Sequence, residues 1–107
     1  MPRSDAVMLC RAAEVKEGTV VQVPKPGGDD FLAIYNLKGT FYLTDDMCTH
    51  AMASLSLGEI VQGRIRCPLH GGEFDIATGA AVEEPCTDPL TTYEIFEQDG
   101  VLYGVLK

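Results

Sequence analysis

Two short stretches constrain this chain more than anything else in it. The first reads Cys48-Thr49-His50, and 16 residues later the second reads Cys67-Pro68-Leu69-His70-Gly71-Gly72. Both histidines and two of the four cysteines fall within them. Thiolate and imidazole together select soft or borderline metals, so Cys48, His50, Cys67 and His70 are the candidate ligands of a zinc ion or an iron–sulfur cluster. Any fold the chain adopts must bring the two stretches to one place.

Length and composition narrow the setting. A chain of 107 residues suits one domain with a modest core. Eleven Gly, six Pro and no Trp fit a turn-rich β protein. No apolar run approaches the roughly 18 residues of a membrane span. Met1 to Asp5 lacks the apolar core of a signal peptide, which predicts a cytoplasmic protein. In that setting cysteines serve metal binding better than disulfides. The net charge of −8 argues against nucleic acid, which requires a basic face, and favours a basic or mixed-charge protein partner.

The pattern along the chain is all-β. Ala6–Cys10 and Thr19–Val23 read as strands, with a polar turn at 13–18 between them. Residues 24–30 form a Pro- and Gly-rich loop. Phe31–Leu37 and Thr40–Thr44 flank Lys38-Gly39 as a hairpin that runs into the first Cys/His stretch. Leu57–Val61 and Arg64–Cys67 flank Gln62-Gly63 as a second hairpin, which delivers Cys67 from a strand end. Short strands are expected at 73–76 and 80–82, a third loop at 83–89, and a last hairpin at 90–97 and 101–106 around Asp99-Gly100. No amphipathic helix exceeds a turn or two. Many short, evenly spaced strands predict an antiparallel sandwich or barrel.

Spacing then discriminates between the metals. One residue between Cys48 and His50 is short for a zinc finger, which places about two to four residues between paired ligands. Each stretch also mixes one Cys with one His. That symmetry suits two metals, with both Cys on one and both His on the other, as in a Rieske-type 2Fe–2S centre. A structural zinc site is the competing reading.

Cys48-Thr49-His50 with Cys67-Pro68-Leu69-His70-Gly71-Gly72-Glu73-Phe74-Asp75 closely resembles the paired cluster boxes of Rieske proteins. Thr78-Gly79 and Pro85-Cys86-Thr87-Asp88-Pro89-Leu90 look like that family's third, proline-bearing loop. The resemblance spans essentially the whole chain. It implies a single Rieske-type domain over 1–107, with a cluster-binding β subdomain at about 45–88 inserted in a basal β-sandwich. The implied ligands are Cys48, His50, Cys67 and His70, the imidazoles binding through Nδ1 with Nε2 edges exposed as the electron exit.

Length and the absence of an export segment look like the ferredoxins of bacterial aromatic-ring dioxygenase systems. The implied role is one-electron transfer from a flavin-dependent reductase to a terminal oxygenase, without catalysis by the chain itself. The alternative is a small Rieske-like subunit of another reductase, such as nitrite reductase. Respiratory Rieske proteins carry a disulfide-forming Cys in each loop, where this chain has Ala53 and Leu69, and a Ser where it has Gly72. Fewer donors to sulfur imply a potential near the low end of the Rieske range, about −150 to +300 mV.

Other residues receive simpler readings. Cys10 is a buried small hydrophobe in an apolar strand, and Cys86 packs in the third loop. Phe74 is core, and Asp75 satisfies turn amides. Gly71 and Gly72 let backbone amides approach the cluster. Ala51, Met52, Pro68, Leu69 and Pro85 form an apolar rim.

Overall fold

A computed structural model describes residues 5–49, 53–69, 71–83 and 88–106. Among the described residues ten strands run in chain order: β1 (Ala6–Arg11), β2 (Val20–Pro24), β3 (Phe31–Leu37), β4 (Thr40–Asp45), β5 (Glu59–Val61), β6 (Arg64–Arg66), β7 (Glu73–Asp75), β8 (Ala81–Glu83), β9 (Thr92–Gln98) and β10 (Val101–Val105). The only helical pieces among the described residues are single 3-10 turns at Ala12–Glu14 and Leu55–Leu57. All pairings are antiparallel. One sheet has the order β1-β10-β9-β4-β3-β2 and curls until its edge strands meet; the other has the order β5-β6-β7-β8.

The central strand β3 explains why the two layers hold together. Its apolar run alternates between two cores. Leu32 and Ile34 point into the curled sheet and pack with Val15, Val23, Leu43 and Leu102. Ala33 and Tyr35 face the other way and pack with Leu55, Ile65, Phe74, Ile76 and Leu90. A strand covered on both faces needs an unbroken apolar sequence, and Leu32 to Tyr35 are each 0% exposed. Each large side chain buried this way contributes about 1.5–3 kcal/mol. Phe74 is in the core, as expected.

The hairpins follow local rules. Lys38-Gly39, Gln62-Gly63 and Asp99-Gly100 all have positive φ at both positions, the conformation of a two-residue type I′ turn. Glycine takes the second place because a side chain there would be strained.

Some details differ from expectation. Leu57 lies in a 3-10 turn, because Gly58 N–H closes on the Leu55 carbonyl. Strand β9 begins at Thr92, since Leu90 N–H is bonded to the Gly79 carbonyl and holds that residue out of the ladder. Cys10 is only half-buried. The register of β1 against β10 shifts between Met8 and Cys10, and the bulge lets both Leu9 and Cys10 rest against the core.

Candidate metal centre

Strands β4 and β6 each end at a loop that carries one cysteine. After β4 the chain turns back on itself at Met47 and Ser54, which form an isolated bridge. Cys48 N–H donates to the Ala53 carbonyl at 2.9 Å, and Leu55 N–H donates to the Asp46 carbonyl at 2.7 Å. The Asp46 carboxylate is 2% exposed and works as a clamp: it accepts Ser56 N–H at 2.8 Å and Gln22 Nε2–H at 2.8 Å. A buried carboxylate requires such donors to offset its desolvation. Thr49 Oγ1 donates to the Asp88 carbonyl at 2.8 Å, tying this loop to the third one.

After β6 the second loop is narrower. Cys67 N–H donates to the Gly72 carbonyl at 2.7 Å, and Gly71 takes φ +75° to complete the turn. Arg66 and Glu73 are direct cross-strand partners at the base of this loop. Glu73 is itself largely buried and grips Arg66 at 2.9 Å.

The two loops bring Cys48 and Cys67 together. Both are buried in the core between the sheets, neither is part of a disulfide, and their side chains stand within hydrogen-bonding reach of one another. Burial pushes the Cys67 thiol up, the backbone N–H of Leu69 pulls it partly back, and the neighbouring Cys48 raises it further. Two adjacent buried sulfurs cannot both ionise unless a cation compensates them, so the donor set fits a thiophilic metal centre. The amide of Leu69 aimed at Cys67 is a further fit, since N–H groups directed at sulfur are how proteins stabilise thiolate-bound iron.

His50 and His70 lie outside the described residues, as do Cys86 and the rim residues Ala51, Met52 and Pro85. The rest of the expected rim is at the surface: Pro68 is exposed, and Leu69 is 45% exposed. Met47 and Leu57, which sequence reasoning left out of the rim, are also exposed, Leu57 to 78%. Their exposure follows from the loop bridge and the 3-10 turn, neither of which leaves a periodic signal. The Asp46 clamp was equally hidden, because its Gln22 partner is 24 residues away. Asp75 plays its expected part, accepting Thr78 N–H at 3.1 Å. Among the described residues no helix is long and apolar enough to cross a membrane.

Known proteins agree with this geometry. The family described as Rieske [2Fe-2S] domain matches residues 5–94. Ferredoxin CarAc of Metapseudomonas resinovorans is 40% identical over 95 residues, covering 89% of this chain and 88% of the relative. The ferredoxin component of the naphthalene 1,2-dioxygenase system of Pseudomonas aeruginosa is 42% identical over 91 residues, covering 85% and 83%. A solved complex of reduced oxygenase and oxidised ferredoxin in carbazole 1,9a-dioxygenase contains a chain that superimposes with a TM-score of 0.87 at 37% identity, covering 96% of this chain and 94% of that one. A protein named as a nitrite reductase NADPH small subunit shares the fold alone, with a TM-score of 0.78 at 19% identity over 92% of this chain and 96% of that one. The chain belongs to the Rieske 2Fe–2S family as a ferredoxin, a one-electron carrier rather than an enzyme, with a Rieske-type 2Fe–2S cluster as its cofactor.

Proposed function

We propose that this ferredoxin takes electrons from a flavin-dependent reductase and delivers them to a terminal aromatic-ring oxygenase in the cytoplasm. In this reading Cys48 and Cys67 hold one iron, and His50 and His70 hold the other. The segment at about 45–88 acts as the cluster-binding subdomain, inserted between β4 and β9 of the basal sheet. The observation that carries the reading is the meeting of two buried cysteine side chains from two separate loops.

When bound, a 2Fe–2S cluster accepts and releases a single electron. The chain contributes the setting. Loop-closing hydrogen bonds at Cys48 and Cys67 fix the backbone, so little need rearrange when charge arrives. The Leu69 amide stabilises negative charge on the Cys67 sulfur. Exposed Leu57, Pro68 and Leu69 offer an apolar contact beside the site, within an acidic surface. A small apolar centre with charged surroundings suits the brief encounters typical of redox partners.

The test is twofold. Purified protein should be red-brown, contain iron and sulfide in equal amounts, and give a rhombic EPR signal on reduction. Turnover of an aromatic substrate by a terminal oxygenase and flavin reductase should then depend on added ferredoxin. A colourless zinc protein would refute the cluster, and turnover unaffected by the ferredoxin would refute the partners.

A further inference from the structure

The outer face of the small sheet carries a ladder of charge whose middle member, Arg66, directly precedes Cys67. Glu59, Arg66 and Glu73 are direct cross-strand partners on β5, β6 and β7, so their side chains share one face. Arg66 Nη1 donates to Glu59 Oε1 at 3.0 Å, while its Nε and Nη2 donate to Glu73 Oε2 at 3.1 and 2.9 Å. Arg64 Nη1 reaches Glu73 Oε1 at 3.5 Å. The opposite face of the same strands is apolar: Ile65 and Phe74 enter the core that also buries Cys48 and Cys67.

The position of Arg66 is unusual for a surface ion pair. It precedes Cys67 directly and, with Cys67, Pro68, Gly71, Leu57 and Glu59, lines a cavity of about 330 Å³. Its guanidinium is a permanent positive charge on the wall of the cavity that Cys67 also lines. It is held there by one partly exposed and one largely buried carboxylate, their side chains 66% and 10% exposed. Glu73 bounds the other end of the loop. Adding an electron to the site is favoured by the cation and opposed by the two anions, so each member of the ladder biases the redox equilibrium with its own sign.

We propose that Arg66, Glu73 and Glu59 form a charge ladder that sets the redox potential of the centre, acting on it through the base of the Cys67 loop. Arg66 favours the reduced state, Glu73 and Glu59 favour the oxidised state, and the wild-type potential is their balance. The proposal rests on Cys67 being a cluster ligand.

Opposite signs make the test decisive. Redox titration of the cluster-loaded protein followed by visible absorption should show Arg66→Gln shifting the reduced-to-oxidised ratio about threefold toward oxidised at a fixed applied potential. Glu73→Gln should shift it by a similar factor toward reduced. Arg66→Lys, which keeps the charge but not the fork, should stay near wild type. The shifts should shrink in 1 M salt, where the Debye length is about 3 Å. If Glu73→Gln fails to load, Glu59→Gln, at a mostly exposed position, should move in the same direction as predicted for Glu73→Gln. Shifts of one sign in all variants, or none, would overturn the ladder while leaving the cluster assignment intact. A wild-type or Arg66→Lys protein without visible cluster absorption would instead count against the ligand assignment itself.

Discussion

Asp46 Oδ1 accepts the backbone N–H of Ser56 at 2.8 Å across the loop that carries Cys48. With its other oxygen on Gln22, this carboxylate joins β2, the end of β4 and the far side of the loop. Asp46→Ala should destabilise the protein by about 3 kcal/mol, because it removes two bonds to a charged acceptor and leaves the Ser56 amide without its partner. Asp46→Asn, which retains one acceptor, should cost about 1 kcal/mol. Denaturant midpoints would check both. The cluster should also be released faster from the Ala variant, read as the decay of its visible absorption in chelator.

Gly58 makes a different kind of contact. A Cβ placed there would sit 1.9 Å from the Arg66 carbonyl oxygen, a backbone atom that no rotamer change can move aside. Gly58 has φ −85°, so backbone conformation does not demand glycine; closeness does. Gly58→Ala should cost about 2 kcal/mol or more through forced separation of the first loop from β6. Thermal unfolding would measure it. A stability equal to wild type would mean that the two segments separate freely.

Tyr35 lies at the heart of the core between the sheets, its hydroxyl 2.8 Å from Thr44 Oγ1. Burial raises its phenol far above the ordinary value, partly offset by the Thr44 hydrogen bond and reinforced by nearby Asp46. The folded state therefore holds the proton that the unfolded state loses above about pH 10. Stability from this group is complete below that pH and should decline by about 1.4 kcal/mol per unit as pH rises toward the folded value. Tyr35→Phe should cost about 1 kcal/mol at neutral pH yet flatten the alkaline decline. A remaining slope belongs to a second set of groups also raised in the fold: Tyr93, by burial and by Asp45, the Cys10 and Cys67 thiols, by burial, and Lys25, by its hydrogen bond with Tyr93. Chemical denaturation of both proteins from pH 8 to 11 would separate the Tyr35 share from the rest.

The proposed cluster ligands make the sharpest prediction. The wild-type potential should fall in the lower part of the Rieske range, near about −150 mV, because Gly72 supplies no hydroxyl to the sulfides. His50→Cys or His70→Cys should drive it toward the about −400 mV of all-thiolate ferredoxins where the cluster survives. Redox titration with EPR detection is the measurement. A potential unmoved by either substitution would remove that histidine from the ligand set.

What the sequence made legible follows from range. Type I′ turns are written in two adjacent residues, so Lys38-Gly39, Gln62-Gly63 and Asp99-Gly100 announced their hairpins. The apolar run in Phe31–Leu37 likewise announced a strand, which the structure then buries on both faces from Leu32 to Tyr35. Cys48 and Cys67 could be expected to meet because one β excursion joins them. Other features are set by partners remote in sequence or by local irregularity. The Gln22–Asp46 bond has no pattern to betray it. The bulge in β1 leaves no mark in the apolar run Ala6–Cys10 that suggested a buried Cys10. The charge ladder needs the registers of three strands, and charged residues on a strand otherwise read as a solvated face.

The curled sheet is sewn shut by strands from opposite ends of the chain. β3–β4, β5–β6 and β9–β10 each close over a two-residue turn and can zip on the microsecond scale of isolated hairpins. Pairing of β1 with β10 must instead bring Ala6 to Val105, and loop-closure entropy opposes so long a contact until the rest is in place. The small sheet thus assembles from neighbours, and the curled sheet is completed by the most distant pairing. A nascent chain whose β10 is still held back would therefore present the Cys48 and Cys67 loops, nearly finished, on an open barrel.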